Sequence, residues 1–226
     1  MTNGTKSRQK ILEQIRRGTG ETAESEEVLA AEHAALPRNY VRRGGMTAKQ
    51  RVERMVERLR EYDADVTECA PRELPAVIES RLAASGRRRF VAPAGVPAEW
   101  LAKSVDWRID HQLAMDEIEK ADGVVTAAFC GVAESGTIVL HHGAAEGRRV
   151  LSLLPDWHLC VLRASQVVET LPEYFGRCQR VPALVTWISG PSATADIEMT
   201  RIKGVHGPRF LDVIVVLDEV LEANLN

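Results

Sequence analysis

Residues 66–92 read VTECAPRELPAVIESRLAASGRRRFVA. Residues 66–69 form a short strand candidate, and residues 72–85 place Leu74, Val77, Ile78 and Leu82 on one side of a helix. Residues 90–92 are a second strand. Downstream the alternation continues: a turn at 93–97, a short helix to Lys103, a strand at 107–110 and a helix within 112–120. Strands that alternate with helices imply a largely parallel sheet covered on both faces. In such sheets, sites collect at the carboxyl ends of strands, so the turns after strands are where chemistry is expected.

Residues 123–133 and 137–141 are strand-like and joined by Glu134-Ser135-Gly136, a tight hairpin in which Gly136 supplies a positive φ. A strand at 158–163, a helix at 165–178 with Val168, Leu171 and Phe175 inward, and buried strands at 183–188 and 210–217 complete the domain. On the amino-terminal side, Thr47 opens a helix whose Val52, Met55, Val56 and Leu59 follow helical spacing. Before it come a helix at 6–17 with a narrow stripe of Ile11, Leu12 and Ile15, a looser one within 21–36, and an extended arm at 37–45. The expected architecture is an open, mostly parallel α/β sheet with helices on both faces and an N-terminal helical appendage. Residues 1–45 form the appendage and residues 46–226 the α/β domain.

The 226 residues are 45% hydrophobic and 27% charged, the profile of a soluble globular chain. A net charge of -3 gives no electrostatic reason to expect nucleic acid as a partner. No apolar run is long enough to insert into a membrane, and the polar opening of the chain points to the cytoplasm. Cys69, Cys130, Cys160 and Cys178 are scattered, without metal-ligand spacing, so no cofactor is expected in this chain. His141 and His142 are neighbours on a strand and would face opposite ways, so no metal site is expected either.

The residues that suggest chemistry lie mainly in TWISGPSATADIEMTRIKGVHGP, residues 186–208. A strand stops at Ser189-Gly190-Pro191, and Pro191 with Ser192 and Thr194 reads as a helix start, whose free N–H groups favour an anion. Asp196 and Glu198 add carboxylates, Asp196 being expected to cap the helix or orient an arginine. The turn at 204–208 brings in His206 as a proton donor or anion contact. Gly147-Arg148-Arg149 offers planar guanidinium donors beside a flexible backbone. Together, 190–196 and 147–149 read as one anion pocket with His206 at its rim. The plain alternative is ordinary caps and surface ion pairs. Glu134, held on rigid strand ends, is a candidate catalytic carboxylate, and Ser135 and Thr137 are candidate ligand contacts beside it.

AESGT (133–137), GRR (147–149), LLPDWH (153–158), GPSATADIE (190–198) and GVHGP (204–208), in this order, resemble the LUD-domain family of lactate-utilisation proteins, type C. The likeness is close over the second half of the chain and general over the first. It implies the fold shared by glucosamine-phosphate deaminases, ribose-phosphate isomerases and CoA transferases. It also implies a part in oxidising L-lactate to pyruvate alongside separate iron–sulfur partner proteins. This chain would be a non-redox subunit that binds those partners, a small carboxylate, or both. Two other functions stay open. CoA transferases present a catalytic Glu in a Glu-x-Gly turn, to which 134–136 is similar, so Glu134 could be an acyl-transfer nucleophile. Alternatively, 147–149 and 189–194 could hold a phosphate ligand.

Overall fold

The structure, a computed structural model, describes residues 3–19, 26–178, 180–194, 202–203 and 207–218. Contacts divide the chain into two units, residues 1–40 and 41–226. The first holds α1 (Asn3–Thr19) and α2 (Glu26–Ala35). Ile11, Leu12 and Ile15 of α1 are exposed, consistent with a single narrow stripe on a polar helix.

The second unit begins with residues tied to carboxylates: Gly44 N donates to Glu173 Oε1 at 2.8 Å and Met46 N to Glu169 Oε2 at 2.6 Å. Thr47 then caps α3 (Ala48–Glu61) through a reciprocal box, its hydroxyl accepting from Gln50 N while Gln50 Oε1 accepts from Thr47 N. Val52, Met55, Val56 and Leu59 are buried, as their spacing predicts, each contributing about 1.5–3 kcal/mol of apolar burial.

Next come β1 (Asp65–Cys69), α4 (Leu74–Ala84), β2 (Arg89–Pro93), β3 (Asp106–Asp110), α5 (Met115–Glu119) and β4 (Gly123–Ala127). After these run β5 (Cys130–Val132), β6 (Thr137–Leu140), β7 (Trp157–Arg163), β8 (Val167–Val168), α6 (Leu171–Arg177) and β9 (Thr186–Ile188). The two-residue strands β10 (Ala193–Thr194) and β11 (Ile202–Lys203) precede β12 (Phe210–Val216). The main sheet is wholly parallel, in the order β1-β12-β7-β4-β2-β3. On one face α4 buries Leu74, Ile78 and Leu82 in a cluster with Trp157, Leu159, Val161 and Ile214. On the other face α3 and the small sheet share a core with Cys160, Leu162, Leu211, Val213 and Val215. The expectation of an open parallel sheet with both faces covered holds.

The second, four-stranded sheet, β8-β5-β6-β9, is not foreseen in the sequence. Residues 123–133 are two strands, because the chain changes sheets between them: Ala128 N donates to Val161 O in the main sheet and Phe129 N to Val139 O in the small one. Both sides of the crossing are buried, so the apolar run hides the break. Residues 165–178 are not one helix. Val167 and Val168 pair with Gly131 and Val132, and α6 starts only after Thr170, whose hydroxyl caps it. Tyr174 is its buried residue, whereas Leu171 and Phe175 are 44% and 48% exposed.

The helix start expected at 190–196 is also corrected. Ala193 and Thr194 pair with Lys203 and Ile202 in an antiparallel ladder, and Ser192 N is taken by Pro208 O at 2.8 Å. Residues 195–201 lie outside the described residues.

Candidate functional site

A cleft of about 490 Å³ opens between β9 and the amino-terminal ends of β7 and β12. Its lining includes Arg149, Ser152, His158, Thr186, Ser189, Gly190, Ser192, Gly207, Pro208 and Leu211. This is not the carboxyl edge where strand order alone would place a site. Loop 143–147 closes that edge over β2 and β4: Ala127 N donates to Ala145 O at 2.9 Å, and Gly95 N to Ala144 O at 3.0 Å. Gly147 makes this approach possible. It sits at φ 73, and a Cβ there would lie 2.7 Å from both Leu151 and Pro93.

The two arginines of the 147–149 segment separate. Arg148 makes a bidentate pair with Asp110, Nε at 2.8 Å and Nη2 at 2.6 Å, and Nη2 also donates to Leu113 O at 2.9 Å. Asp110 terminates β3 and is nearly buried, and the Arg148 hydrogen bonds hold its carboxyl below the usual range. Arg148 is therefore a structural cation. Arg149 is exposed at the cleft, and its Nη1 donates to Thr186 Oγ1 at 2.6 Å.

Thr186 receives a second contact from the other side, His142 Nε2 at 2.8 Å, while His142 Nδ1 is 2.9 Å from Gly147 O. The neighbouring His141 stacks on Phe129 and bonds Tyr174 Oη at 2.7 Å. Burial lowers the His141 pKa. The two imidazoles thus serve different partners, but not by strand alternation as expected: β6 ends at Leu140, and His142 takes the left-handed conformation at φ 59. Glu146 accepts from His141 N, and burial pushes its carboxyl up against the opposing pull of backbone N–H groups at His141, His142 and Gly143.

His158 is the buried polar floor of the cleft. Its Nε2 lies 2.8 Å from Thr126 Oγ1, and burial alone pushes its pKa down to about 4, so the ring is neutral at physiological pH. Ser189 joins a file of hydroxyls, Ser135 Oγ to Thr137 Oγ1 to Ser189 Oγ, with both steps at 2.8 Å.

Of the residues singled out from sequence, the cleft gathers Arg149, Gly190 and Ser192, and Ser135 and Thr137 reach it through Ser189. Arg148 is turned away, and Thr194 lies in β10. Glu134 is exposed at the β5–β6 hairpin, outside the lining residues, with its N–H donated to Glu169 O at 3.0 Å. Asp196, Glu198 and His206 lie outside the described residues. Sequence reasoning missed Thr186, His142 and His158. His158 sits in the LLPDWH segment already singled out, but its partner Thr126 is distant in the chain.

The fold and this cleft define an open α/β protein with a small mixed sheet packed on its main sheet and a cationic cleft between the two. The LUD domain model matches residues 52–216, and the chain belongs to that family. It is 44% identical over 164 residues to lactate utilization protein C of Deinococcus radiodurans, covering 71% of this chain and 76% of that one. Against lactate utilization protein C of Halalkalibacterium halodurans the identity is 41% over 111 residues, 46% of this chain and 48% of that protein. The crystal structure of a DUF162 family protein from Deinococcus radiodurans is similar, with a TM-score of 0.62 and 35% identity, covering 76% of this chain and 99% of that one.

Proposed function

We propose that this chain is a non-redox component of a lactate utilisation system and that its cleft binds a small carboxylate. The relatives' names support the system. The observation that carries the ligand class is the cleft's polarity: among the described lining residues Arg149 supplies a cation, Thr186, Ser189 and Ser192 supply hydroxyls, and none is a carboxylate. A guanidinium in a partly enclosed site recognises a carboxylate by charge and by a planar pair of donors. A volume of about 490 Å³ is ample for a molecule of lactate or pyruvate size.

Oxidation in this proposal belongs to iron–sulfur partner proteins in the cytoplasm. Support comes from the cysteines: Cys69, Cys130 and Cys160 are buried singly, and among the described residues no three His, Cys, Asp or Glu side chains come together as a metal-ligand set. The acyl-transfer alternative draws no support from Glu134, which stands outside the cleft lining.

The test is growth on L-lactate of a strain deleted for this gene. Complementation by the wild-type chain and failure by Arg149→Gln, with both proteins present at equal level, is the expected result. Full growth with Arg149→Gln would remove the cleft from the function.

A further inference from the structure

The cleft's arginine is held by a relay that ends in a backbone carbonyl, and the chemistry of that end fixes the rest. Gly147 O, 2.9 Å from His142 Nδ1, can only accept, so Nδ1 carries a hydrogen. In the neutral ring Nε2 is then a bare acceptor, and Thr186 Oγ1 lies 2.8 Å from it. The Thr186 hydroxyl therefore points its hydrogen at His142 and offers a lone pair to Arg149 Nη1 at 2.6 Å. Thr186 lines the cleft, yet in this state its hydrogen is directed away from it.

We infer that His142 is the positioning residue of the cleft and couples binding of the anion to uptake of one proton. This rests on the anion-binding function proposed above. When a proton from solvent adds to Nε2, that nitrogen becomes a donor to Thr186 Oγ1. His142 and Arg149 then occupy both lone pairs of the hydroxyl oxygen, and its hydrogen turns into the cleft. Thr186 keeps its own hydrogen throughout, and the imidazolium holds the added charge. A carboxylate gains one donor and a second positive charge behind the first.

Three charged or titratable groups adjoin His142 from the elements around it. Glu146, in the loop that closes over β2 and β4, interacts with the His142 charge and favours the imidazolium. His141, its neighbour in sequence, and Arg149, across Thr186, oppose it.

His142 has φ 59, a left-handed conformation that Asn tolerates well, so His142→Asn fits the backbone while its side chain is too short to bridge Gly147 and Thr186. Pyruvate, ionised across the range, is titrated calorimetrically into wild type, His142→Asn, Thr186→Val and Arg149→Gln. Pairs of buffers with different ionisation heats are used between about pH 8 and about pH 5.5. Wild type is expected to bind about tenfold more tightly at the acid end and to take up protons as it binds. His142→Asn and Thr186→Val are expected to bind with no net proton uptake and a flat pH profile. Should His142→Asn fail to fold, Thr186→Val decides alone. Proton uptake unchanged from wild type in the folded variants overturns the inference and leaves anion binding standing. Absence of binding in wild type, or binding unaltered in Arg149→Gln, overturns the anion site itself.

Discussion

Arg148 and Arg149 are adjacent in sequence and opposite in task, which gives a paired prediction at the level of single residues. Arg148→Ala strands Asp110, nearly buried at the end of β3, and should cost about 2–3 kcal/mol of stability. Calorimetry should show the melting temperature falling by several degrees. Arg149→Gln, at an exposed position, should leave the melting temperature nearly unchanged. His158 supplies a pH prediction. Its folded pKa is about 4 against an ordinary 6.5, so in that window the unfolded chain binds more protons than the folded one. Stability is therefore full above about 6.5 and is lost as pH falls toward about 4, by at most ~3 kcal/mol. Urea unfolding at the two ends of the window should show this loss in wild type and a smaller loss in His158→Gln. Sequence made Arg149 visible as a guanidinium beside a glycine. It could not show that Arg148 has Asp110 as partner, because that pairing is made by the fold.

Among the elements, the β5–β6 hairpin fixes the small sheet against α3. Gly136 has φ 64, and a Cβ there would lie 2.6 Å from Arg58 Cβ and 3.1 Å from the Arg58 carbonyl carbon. Gly136→Ala should cost about 2 kcal/mol or more, since the left-handed conformation and the backbone clash add. Thermal unfolding measures it, and an unchanged melting temperature would mean that the hairpin is free to move from α3. This hairpin and α3 were legible because their signals are local: a glycine in a turn, a threonine at a helix start and a helical stripe. The break at 128–129, the strand at 167–168 and the strand at 193–194 were not. Each is decided by pairing with a distant segment, and apolar or hydroxyl residues suit strand, helix or cap equally.

For the whole molecule, the parallel sheet followed from strand–helix alternation, which a chain can satisfy in few ways. The small sheet did not, since its strands are two to four residues long and join segments far apart. That sheet moves the cleft to the amino-terminal ends of β7 and β12 and leaves Glu134 outside it, which separates anion binding from the expected carboxylate chemistry. The central claim is that Arg149 makes this cleft a carboxylate site, and the most direct measurement is the affinity of wild type and Arg149→Gln for lactate, pyruvate and inorganic phosphate. Loss of one charge-assisted contact should weaken lactate and pyruvate binding by about 10- to 100-fold. Equal affinities in the two proteins, or a wild-type protein that binds phosphate and neither carboxylate, would contradict it.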